Sequence, residues 1–382
     1  MNSVIEVFWR FLMLGCVSFG GPVAHIGYFQ HTFVSKLKWI DEQEYGQLVG
    51  LSQFLPGPGS SQVGFAIGLK KAGLLGGIAA FLGFTLPSFV LLWLLAYSGI
   101  DQSENVLLYG AVTGLKLFAV VVVADATFSM FKSFCQERRT ISIAVLSAFI
   151  LLAIPSLFSQ ILVLVAAAVV GIRTLQPADD GQKRGLRIHW PALLAFAVLF
   201  LSGMLLFRDN SLWLLFSQFY QAGSLVFGGG HVVLPLLQEL VGEQLSTERF
   251  LLGYSAAQAV PGPMFSLASY LGAELLSTSP LLGALIATIG IFLPGFVLIY
   301  AFYRYWDIAS LPAMVKGAMI GINAAVVGLL FSALYQPVFI SAVSSGTDLA
   351  IVLLGIYALK VVKVPIALLV VAFALIGVAL AM

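Results

Sequence analysis

The sequence predicts an all-α polytopic membrane protein with about thirteen transmembrane or re-entrant helices, arranged as two inverted-topology repeats with broken helices. Three observations support this fold class. Of the 382 residues, 60% are hydrophobic and only 9% are charged. The mean hydropathy of +1.01 is higher than a soluble domain could sustain in water. Finally, the chain contains an internal duplication, which indicates a repeat architecture.

The individual segments follow from apolar runs of about 17–25 residues, or shorter runs where a proline divides them. In the first half they are 3–24, 45–68, 73–95, 106–130, 141–154 and 157–171. A polar linker and one extra segment, 190–207, come next. In the second half they are 212–238, 250–273, 281–303, 312–334, 349–361 and 365–381. We therefore predict a first repeat domain at 1–173, a cytoplasmic linker at 174–189, a connecting transmembrane helix at 190–208 and a second repeat domain at 209–382.

The duplication consists of four ordered matches between the two halves. "SFGGPVAHI" pairs with "VFGGGHVVL", "QFLPGP" with "QAVPGP", and "FTLPSFVLLWLLA" with "IFLPGFVLIYAFY"; Pro155 pairs with Pro365. The members of each pair lie about 205 to 210 residues apart, as expected for a repeat whose register slips only in loops.

An odd segment between two six-segment halves predicts that the second half enters the membrane from the opposite side. The basic residues expected on one side are Arg10, Lys70, Lys71, Lys132, Arg138, Arg139, Arg173, Lys183, Arg184, Arg187, Arg249, Arg304, Lys360 and Lys363. The other side receives only Lys36, Lys38 and Arg208. By the positive-inside rule, the N-terminus and linker are cytoplasmic and the C-terminus is periplasmic, in a bacterial inner membrane.

The two Pro-Gly-Pro motifs fall inside apolar runs, where unpaired backbone is tolerated only if protein or water covers it. Each break leaves a half-helix N-terminus whose N–H groups and dipole attract an anion. We therefore expect one shared oxyanion cradle. The alternative is a pair of kinks or re-entrant turns that only help packing. The candidate substrate-binding residues are Gln53, Gly57, Pro58, Gly59, Ser60 and Ser61 in the first break, and Gln258, Gly262, Pro263 and Ser266 in the second.

The two Phe-Gly-Gly motifs form a second pair of breaks, since consecutive glycines permit positive φ angles or close backbone approach. The candidates here are Gly20, Gly21, Gly228, Gly229, Gly230 and His231. For His25 and His231, a neutral imidazole bonded to the backbone is the simplest interpretation, and substrate binding or proton coupling is the alternative.

Ionisable residues inside membrane segments indicate function by default. Lys116 lies near the middle of segment 106–130, and our alignment places Lys316 close to its counterpart. Both ammonium groups are candidate contacts for a divalent oxyanion in a low-dielectric site. The alternatives are a structural ion pair for Lys116 and an extended Lys316 side chain that reaches the cytoplasmic surface. Asp125 lies on about the opposite helix face and about 13 Å further along, so we expect no Lys116–Asp125 pair. We interpret Glu239, Glu243, Glu248 and Glu274 as solvated charges.

At these motifs the chain resembles the chromate ion transporter family, in its long two-domain form. The residues that carry the resemblance are Phe19, Gly20, Gly21, Pro22, Gln53, Pro56, Gly57, Pro58, Phe227, Gly228, Gly229, Gly230, His231, Leu234, Pro235, Gln258, Pro261, Gly262 and Pro263. The resemblance implies a bacterial inner-membrane exporter of chromate, driven by the membrane potential or by exchange. Sulfate has the same shape and could compete.

We therefore expect a secondary active transporter for chromate or a sulfate-like oxyanion, embedded in a lipid bilayer. An anion channel lined by the same breaks, or an importer of another oxyanion, is the alternative. An enzyme is not expected, because four histidines without an HExxH motif offer no metal site and no GxxxxGK[ST] motif binds ATP. No cofactor and no nucleic acid are expected, and a homodimer remains open.

Overall fold

The computed structural model describes residues 3–19, 21–98, 106–175, 189–205, 211–227, 233–241, 244–302 and 312–382. Every regular element in these ranges is a helix. The first half contains α1 (Ser3–Val17), α2 (Gly21–Phe29, continued by a π-helix Gln30–Lys36), α3 (Glu42–Phe54), α4 (Gly59–Tyr97), α5 (Val106–Phe134), α6 (Arg138–Ala153) and α7 (Leu157–Thr174). Between the halves lies α8 (Trp190–Leu205).

The second half contains α9 (Ser211–Leu225), α10 (Val233–Val241), α11 (Thr247–Ala259), a 3₁₀ turn (Met264–Ser266), α12 (Leu267–Leu275), α13 (Pro280–Phe302), α14 (Ala313–Ala333, continued by a π-helix Leu334–Phe339), α15 (Ile340–Ala342), α16 (Gly346–Tyr357, continued by a π-helix Ala358–Val362) and α17 (Ile366–Ala381).

Within the described residues, four stretches are long and apolar enough to cross a membrane: Gly59–Tyr97, Tyr109–Phe134, Pro280–Phe302 and Ala313–Ala342. The predicted all-α polytopic class is confirmed.

The chain divides into two compact units, each built from non-contiguous stretches. Unit 1 comprises Met1–Ile100, Leu186–Val233 and Ala256–Ile308. Unit 2 comprises Asp101–Gly185, Leu234–Ser255 and Ala309–Met382. Each unit therefore combines helices from both predicted repeats.

In unit 1, the chain reverses between α1 and α2. Phe11 of α1 stacks on Phe33, with ring centroids 4.7 Å apart, and lies 5.4 Å from Phe29. A continuous helix would separate Phe11 from Phe33 by about 33 Å. The predicted single segment 3–24 is therefore wrong: α1 ends at Val17 and Gly21, at a φ of +74°, begins the returning helix.

The first Pro-Gly-Pro break is also a reversal. Non-helical backbone at Ala72 and Gly73 divides α4 into two parts, 59–71 and 74–97. Lys70, near the end of the first part, forms an ion pair with Glu44 at the start of α3, and the Lys71 ammonium lies 4.7 Å from the centre of the Trp39 ring. A continuous helix would place Glu44 and Lys70 about 39 Å apart. The segment is thus a re-entrant hairpin, not the single crossing predicted at 45–68.

This reversal corrects the predicted distribution of basic residues. Lys38 and Lys70 line one surface cavity together with Trp39 and Asp41. The prediction that Lys36 and Lys38 lie on the opposite side from Lys70 and Lys71 is wrong, because the break turns the chain back. The correction strengthens the basic bias towards one side. Each of the two hairpins ends on the side where it begins. Replacing two predicted crossings by two hairpins changes the number of crossings by two, so the side on which the first half ends is unchanged. The inverted arrangement remains a prediction.

Close glycine contacts set the helix register in unit 2. A Cβ on Gly114 of α5 would clash with the Phe373 carbonyl of α17, and a Cβ on Gly321 of α14 would clash with the Ala167 carbonyl of α7. Each repeat therefore packs its long helix against the last helix of the other. Adding 207 to the numbers of Gly110 and Gly114 gives Gly317 and Gly321, which fixes the correspondence between α5 and α14.

Candidate functional site

Unit 1 joins the two Pro-Gly-Pro breaks by a reciprocal pair of backbone hydrogen bonds. The Gly57 N–H donates to the Val226 carbonyl at 2.7 Å, and the Gly262 N–H donates to the Ser18 carbonyl at 2.9 Å. Val226 and Ser18 directly precede the two Phe-Gly-Gly motifs. Each break therefore bonds to the other repeat at the residue where its Phe-Gly-Gly element begins.

Both break glycines are required by their conformation and by their surroundings. Gly57 has a φ of +122° and Gly262 a φ of +107°, a region that L-residues with a side chain rarely adopt. A Cβ on Gly57 would lie 2.9 Å from the Cα of Gly295, and a Cβ on Gly262 would lie 2.8 Å from Ser88 Oγ. Gly295 directly follows the proline inside α13, and Ser88 directly follows the proline inside α4. Each break glycine therefore meets a helix of the opposite repeat.

The half-helix that starts at Gly59 has a buried and uncapped N-terminus. Pro58 provides no side-chain cap, and the first backbone bond runs from the Gln62 N–H to the Pro58 carbonyl at 2.9 Å. Ser60 and Ser61 are each 4% exposed, and Ser61 Oγ has no hydrogen-bond partner. Among the described residues, none accepts from the N–H groups of Gly59, Ser60 or Ser61. A buried helix end without partners requires a ligand or water to satisfy it.

His25 connects this helix end to the second break. Its ring is fully buried, with Nδ1 3.2 Å from Ser60 Oγ and Nε2 3.2 Å from the Ser18 carbonyl. Because a carbonyl can only accept, we assign the proton to Nε2, and Nδ1 then accepts from the Ser60 hydroxyl. The Ser18 carbonyl thus receives both His25 and Gly262. The structure shows the simpler of the two interpretations of His25, an imidazole bonded to the backbone.

Two further polar residues support the breaks. Gln62 is fully buried, and its Nε2 donates to the Pro56 carbonyl at 2.9 Å and the Gly295 carbonyl at 3.2 Å. Ser88 and Ser266 share a hydrogen bond of 2.7 Å. Of these residues, His25 was a candidate from the sequence, whereas Gln62 and Ser88 were not predicted. The match of "FTLPSF" to "IFLPGF" contained the signal for Ser88 and Gly295.

The other predicted residues of this group have mixed outcomes. Gln53 is exposed, whereas the Gln258 amide donates to the Met264 sulfur at 2.7 Å, so two glutamines at equivalent positions have different surroundings. Gly21 is the first residue of α2, and Pro263 directly precedes the 3₁₀ turn. The predicted residues Gly20, Gly228, Gly229, Gly230 and His231 lie outside the described residues.

Lys116 and Lys316 belong to unit 2. Lys116 Nζ lies 3.4 Å from Glu248 Oε1, with the lysine side chain 14% exposed and the glutamate half exposed. The structure therefore shows the ion pair that the sequence left as an alternative. Lys316 is not the counterpart of Lys116, because the glycine register pairs Lys116 with Asn323. Asp125 forms an ion pair with Lys360 instead of Lys116.

Comparison with known proteins covers most of the chain. The model of a family described as "Chromate transporter" matches residues 5–172 and 213–378. An uncharacterised transporter of Methanocaldococcus jannaschii is 27% identical over 86% of this chain and 83% of its own length. The chromate transport protein of Pseudomonas aeruginosa is 28% identical over 86% and 79%, and that of Cupriavidus metallidurans is 26% identical over 85% and 80%. No solved structure gives a significant match.

Proposed function

This chain belongs to the chromate transporter family, and we propose that it is a secondary active transporter for chromate or a tetrahedral oxyanion of the same shape, such as sulfate. Two relatives that align over most of their length are chromate transport proteins. The proposed direction is export from the cytoplasm, driven by the membrane potential or by exchange. The predicted excess of basic residues on the cytoplasmic side would concentrate the dianion there.

The observation that carries the proposal is the buried, uncapped N-terminus of α4. Three consecutive N–H groups, at Gly59, Ser60 and Ser61, lack acceptors in the described structure, and the Ser61 hydroxyl lacks a partner. A helix N-terminus combines aligned N–H donors with the positive end of the helix dipole, which favours a negatively charged ligand. A tetrahedral dianion presents several oxygens to such a group of donors. We therefore place the substrate at this helix end.

The surrounding hydrogen bonds suit a preorganised site. Gln62 ties the start of the helix to the Gly295 carbonyl, and His25 holds the Ser60 side chain. These contacts involve protein atoms alone, and donors held in place by the protein reduce the ordering cost of binding. The reciprocal bonds of Gly57 and Gly262 link both repeats to this position, so a rearrangement of either repeat would alter the site.

Transport by the purified protein in liposomes tests the proposal. We expect saturable uptake of radiolabelled chromate, inhibition by sulfate, and counterflow when the liposomes are preloaded with unlabelled chromate. A channel would show flux without saturation or counterflow. Repeating the assay at set membrane potentials and pH values, with outward and inward gradients, identifies the direction and the driving force. Absence of chromate and sulfate transport in sealed, protein-containing liposomes would reject the proposed substrate.

A further inference from the structure

We propose that unit 2 contains a binding site for a small monovalent cation, in a cavity that no part of the proposed oxyanion site uses. The cavity has a volume of about 290 Å³ and lies between the α6–α7 turn, α10 and the end of α14. Its polar lining consists of Gln160, Gln238, Glu239, Thr247, Ser332 and Gln336.

The lining has oxygen acceptors that lack donors. Gln160 is 8% exposed, and its Oε1 has no hydrogen-bond partner; the Oε1 of Gln238 also has none. A buried acceptor left unpaired is destabilising, so each such oxygen indicates a missing donor or cation. Gln160 and Gln238 line the same cavity as Glu239, an exposed residue. An anion would be repelled by this set of oxygens, whereas a cation would be bound.

The position equivalent to this cavity in the other repeat binds a lysine ammonium group of the chain itself. Adding 207 to Asp125 and Ser129, in the register set by the glycines, gives Ser332 and Gln336. The Lys360 ammonium forms an ion pair with Asp125 and donates to Ser129 Oγ at 3.0 Å. In one repeat, therefore, these two positions bind an ammonium group that belongs to the chain.

The counterpart of Lys360 in the first repeat is apolar. The capping boxes at the starts of α6 and α16 place Glu137 and Ser345 at equivalent positions, and Pro155 and Pro365 are equivalent at the other ends. These two pairs place the counterpart of Lys360 within residues 150–152, which are all apolar. Leu152 lines the proposed cation cavity. This cavity keeps an oxygen-bearing side chain at both positions, the Ser332 hydroxyl in place of the Asp125 carboxylate and the Gln336 carboxamide in place of the Ser129 hydroxyl. It lacks the internal ammonium, so a free cation can take that place, and the carboxylate can come from Glu239.

The ligand set selects the class of cation. Carboxamide, hydroxyl and carboxylate oxygens bind hard cations such as Na⁺ and K⁺. Among the described residues that line the cavity, Glu239 is the one carboxylate, which balances one positive charge and offers a divalent ion less compensation than the several carboxylates of a typical calcium site. Gln336 has an extended backbone (φ −129°, ψ 117°) inside the π-helical stretch Leu334–Phe339. The helix is therefore kinked at a residue that lines the cavity.

The test is the thermal stability of the purified full-length protein, measured without any oxyanion so that it is independent of the proposed transport. Increasing NaCl or KCl, with choline chloride keeping the ionic strength constant, should raise Tm saturably above the choline value. Gln160→Leu and Glu239→Gln should abolish this rise. The matched control Gln136→Leu, an exposed glutamine outside the cavity, should retain it. Identical Tm values in choline, Na⁺ and K⁺ would overturn the proposal, as would an undiminished response in Gln160→Leu.

A second variant tests the equivalence between the repeats. Leu152→Lys should supply the ammonium internally and eliminate the cation-dependent rise in Tm while the protein stays monodisperse on size exclusion. If Gln160→Leu fails to fold, Gln160→Glu replaces it, and this added charge should strengthen the response. A full cation response in folded Leu152→Lys, or a lost response in folded Gln160→Glu, would also overturn the proposal.

Discussion

The two Pro-Gly-Pro breaks share a glycine with a positive φ but differ in the hydrogen bonding at the helices that follow them. Ser61 and Ser266 occupy equivalent positions after their breaks. Ser266 shares a hydrogen bond with Ser88 of the other repeat, whereas the residue equivalent to Ser88 in the second repeat is Gly295, which has no hydroxyl. The Ser61 Oγ consequently lacks a partner. One glycine in place of a serine thus leaves a donor available at one break and not at the other.

The backbone N–H groups also leave more donors unpaired at the first break than at the second. After the second break, the 3₁₀ turn Met264–Ser266 lets the Ser266 N–H bond to the Pro263 carbonyl at 2.9 Å. After the first break, α4 begins without such a turn, and the Ser61 N–H has no acceptor among the described residues. The comparison indicates that the duplicated motif has diverged: we propose that the first break binds substrate and the second supports it.

The largest effect is expected in an experiment that tests whether the chain turns back at the first break. In a background with Cys16→Ser and Cys135→Ser, cysteines replacing Lys38 and Lys70 should react with an impermeant maleimide from the same membrane face, since both line one cavity. Labelling from opposite faces would contradict the re-entrant hairpin. In the same background, cysteines in the linker and at the C-terminus should label from opposite faces if the repeats are inverted.

The next largest effect is expected for the break glycines. Gly57→Ala forces a side chain into a strained φ, which costs about 1–3 kcal/mol, and against the Gly295 backbone, which adds about 1–3 kcal/mol of overpacking. Gly262→Ala should be milder, because the atom it meets first is a side-chain hydroxyl. Displacing that Ser88 hydroxyl costs its hydrogen bond to Ser266 but does not require a shift of the backbone. Thermal unfolding and liposome transport measure both effects.

The control for these glycine variants is Gly46→Ala. Gly46 lies inside α3 with no atom near its Cβ position, so alanine should be neutral or slightly stabilising there. Equal stability of Gly57→Ala and Gly46→Ala would mean that the positive φ and the contact with Gly295 are unimportant.

Serine substitutions should separate binding from support. Ser61→Ala removes a hydroxyl without a protein partner, so stability should be unchanged while the KM for chromate rises about 10-fold or more, as expected for a lost hydrogen bond to a charged ligand. Ser266→Ala should lower stability by about 1 kcal/mol with little change in KM. Ser142→Ala, at an exposed position on α6, is the control for both. The reverse pattern would assign the substrate to the second break.

The smallest effect is expected at Lys116, since its partner Glu248 is half exposed and such pairs contribute about 1 kcal/mol or less. Lys116→Met and Glu248→Gln should each retain transport, and their double variant should be no worse than the more affected single variant. Complete loss of transport in a normally folded Lys116→Met protein, with Glu248→Gln active, would instead restore Lys116 as a substrate contact.

The sequence by itself determined the membrane class, the duplication and the positions of the breaks. These properties depend on composition and on local conformational preferences: lipid requires apolar helices, and proline with glycine ends a helix wherever the pair occurs. The match of "QFLPGP" to "QAVPGP" therefore located both breaks. It did not show whether the chain continues or turns back after a break, because the local backbone permits both.

Only the tertiary structure decided the direction and the register. The reversals depend on contacts between distant residues, such as Phe11 with Phe33 and Glu44 with Lys70. The correspondence of Lys116 with Asn323 depends on glycine contacts between helices. Whether Ser61 lacks a partner depends on which residue of the other repeat faces it. Contacts between residues about 200 positions apart are set by packing in three dimensions. The local sequence therefore predicted which residues belong to the candidate site but not which residues they contact.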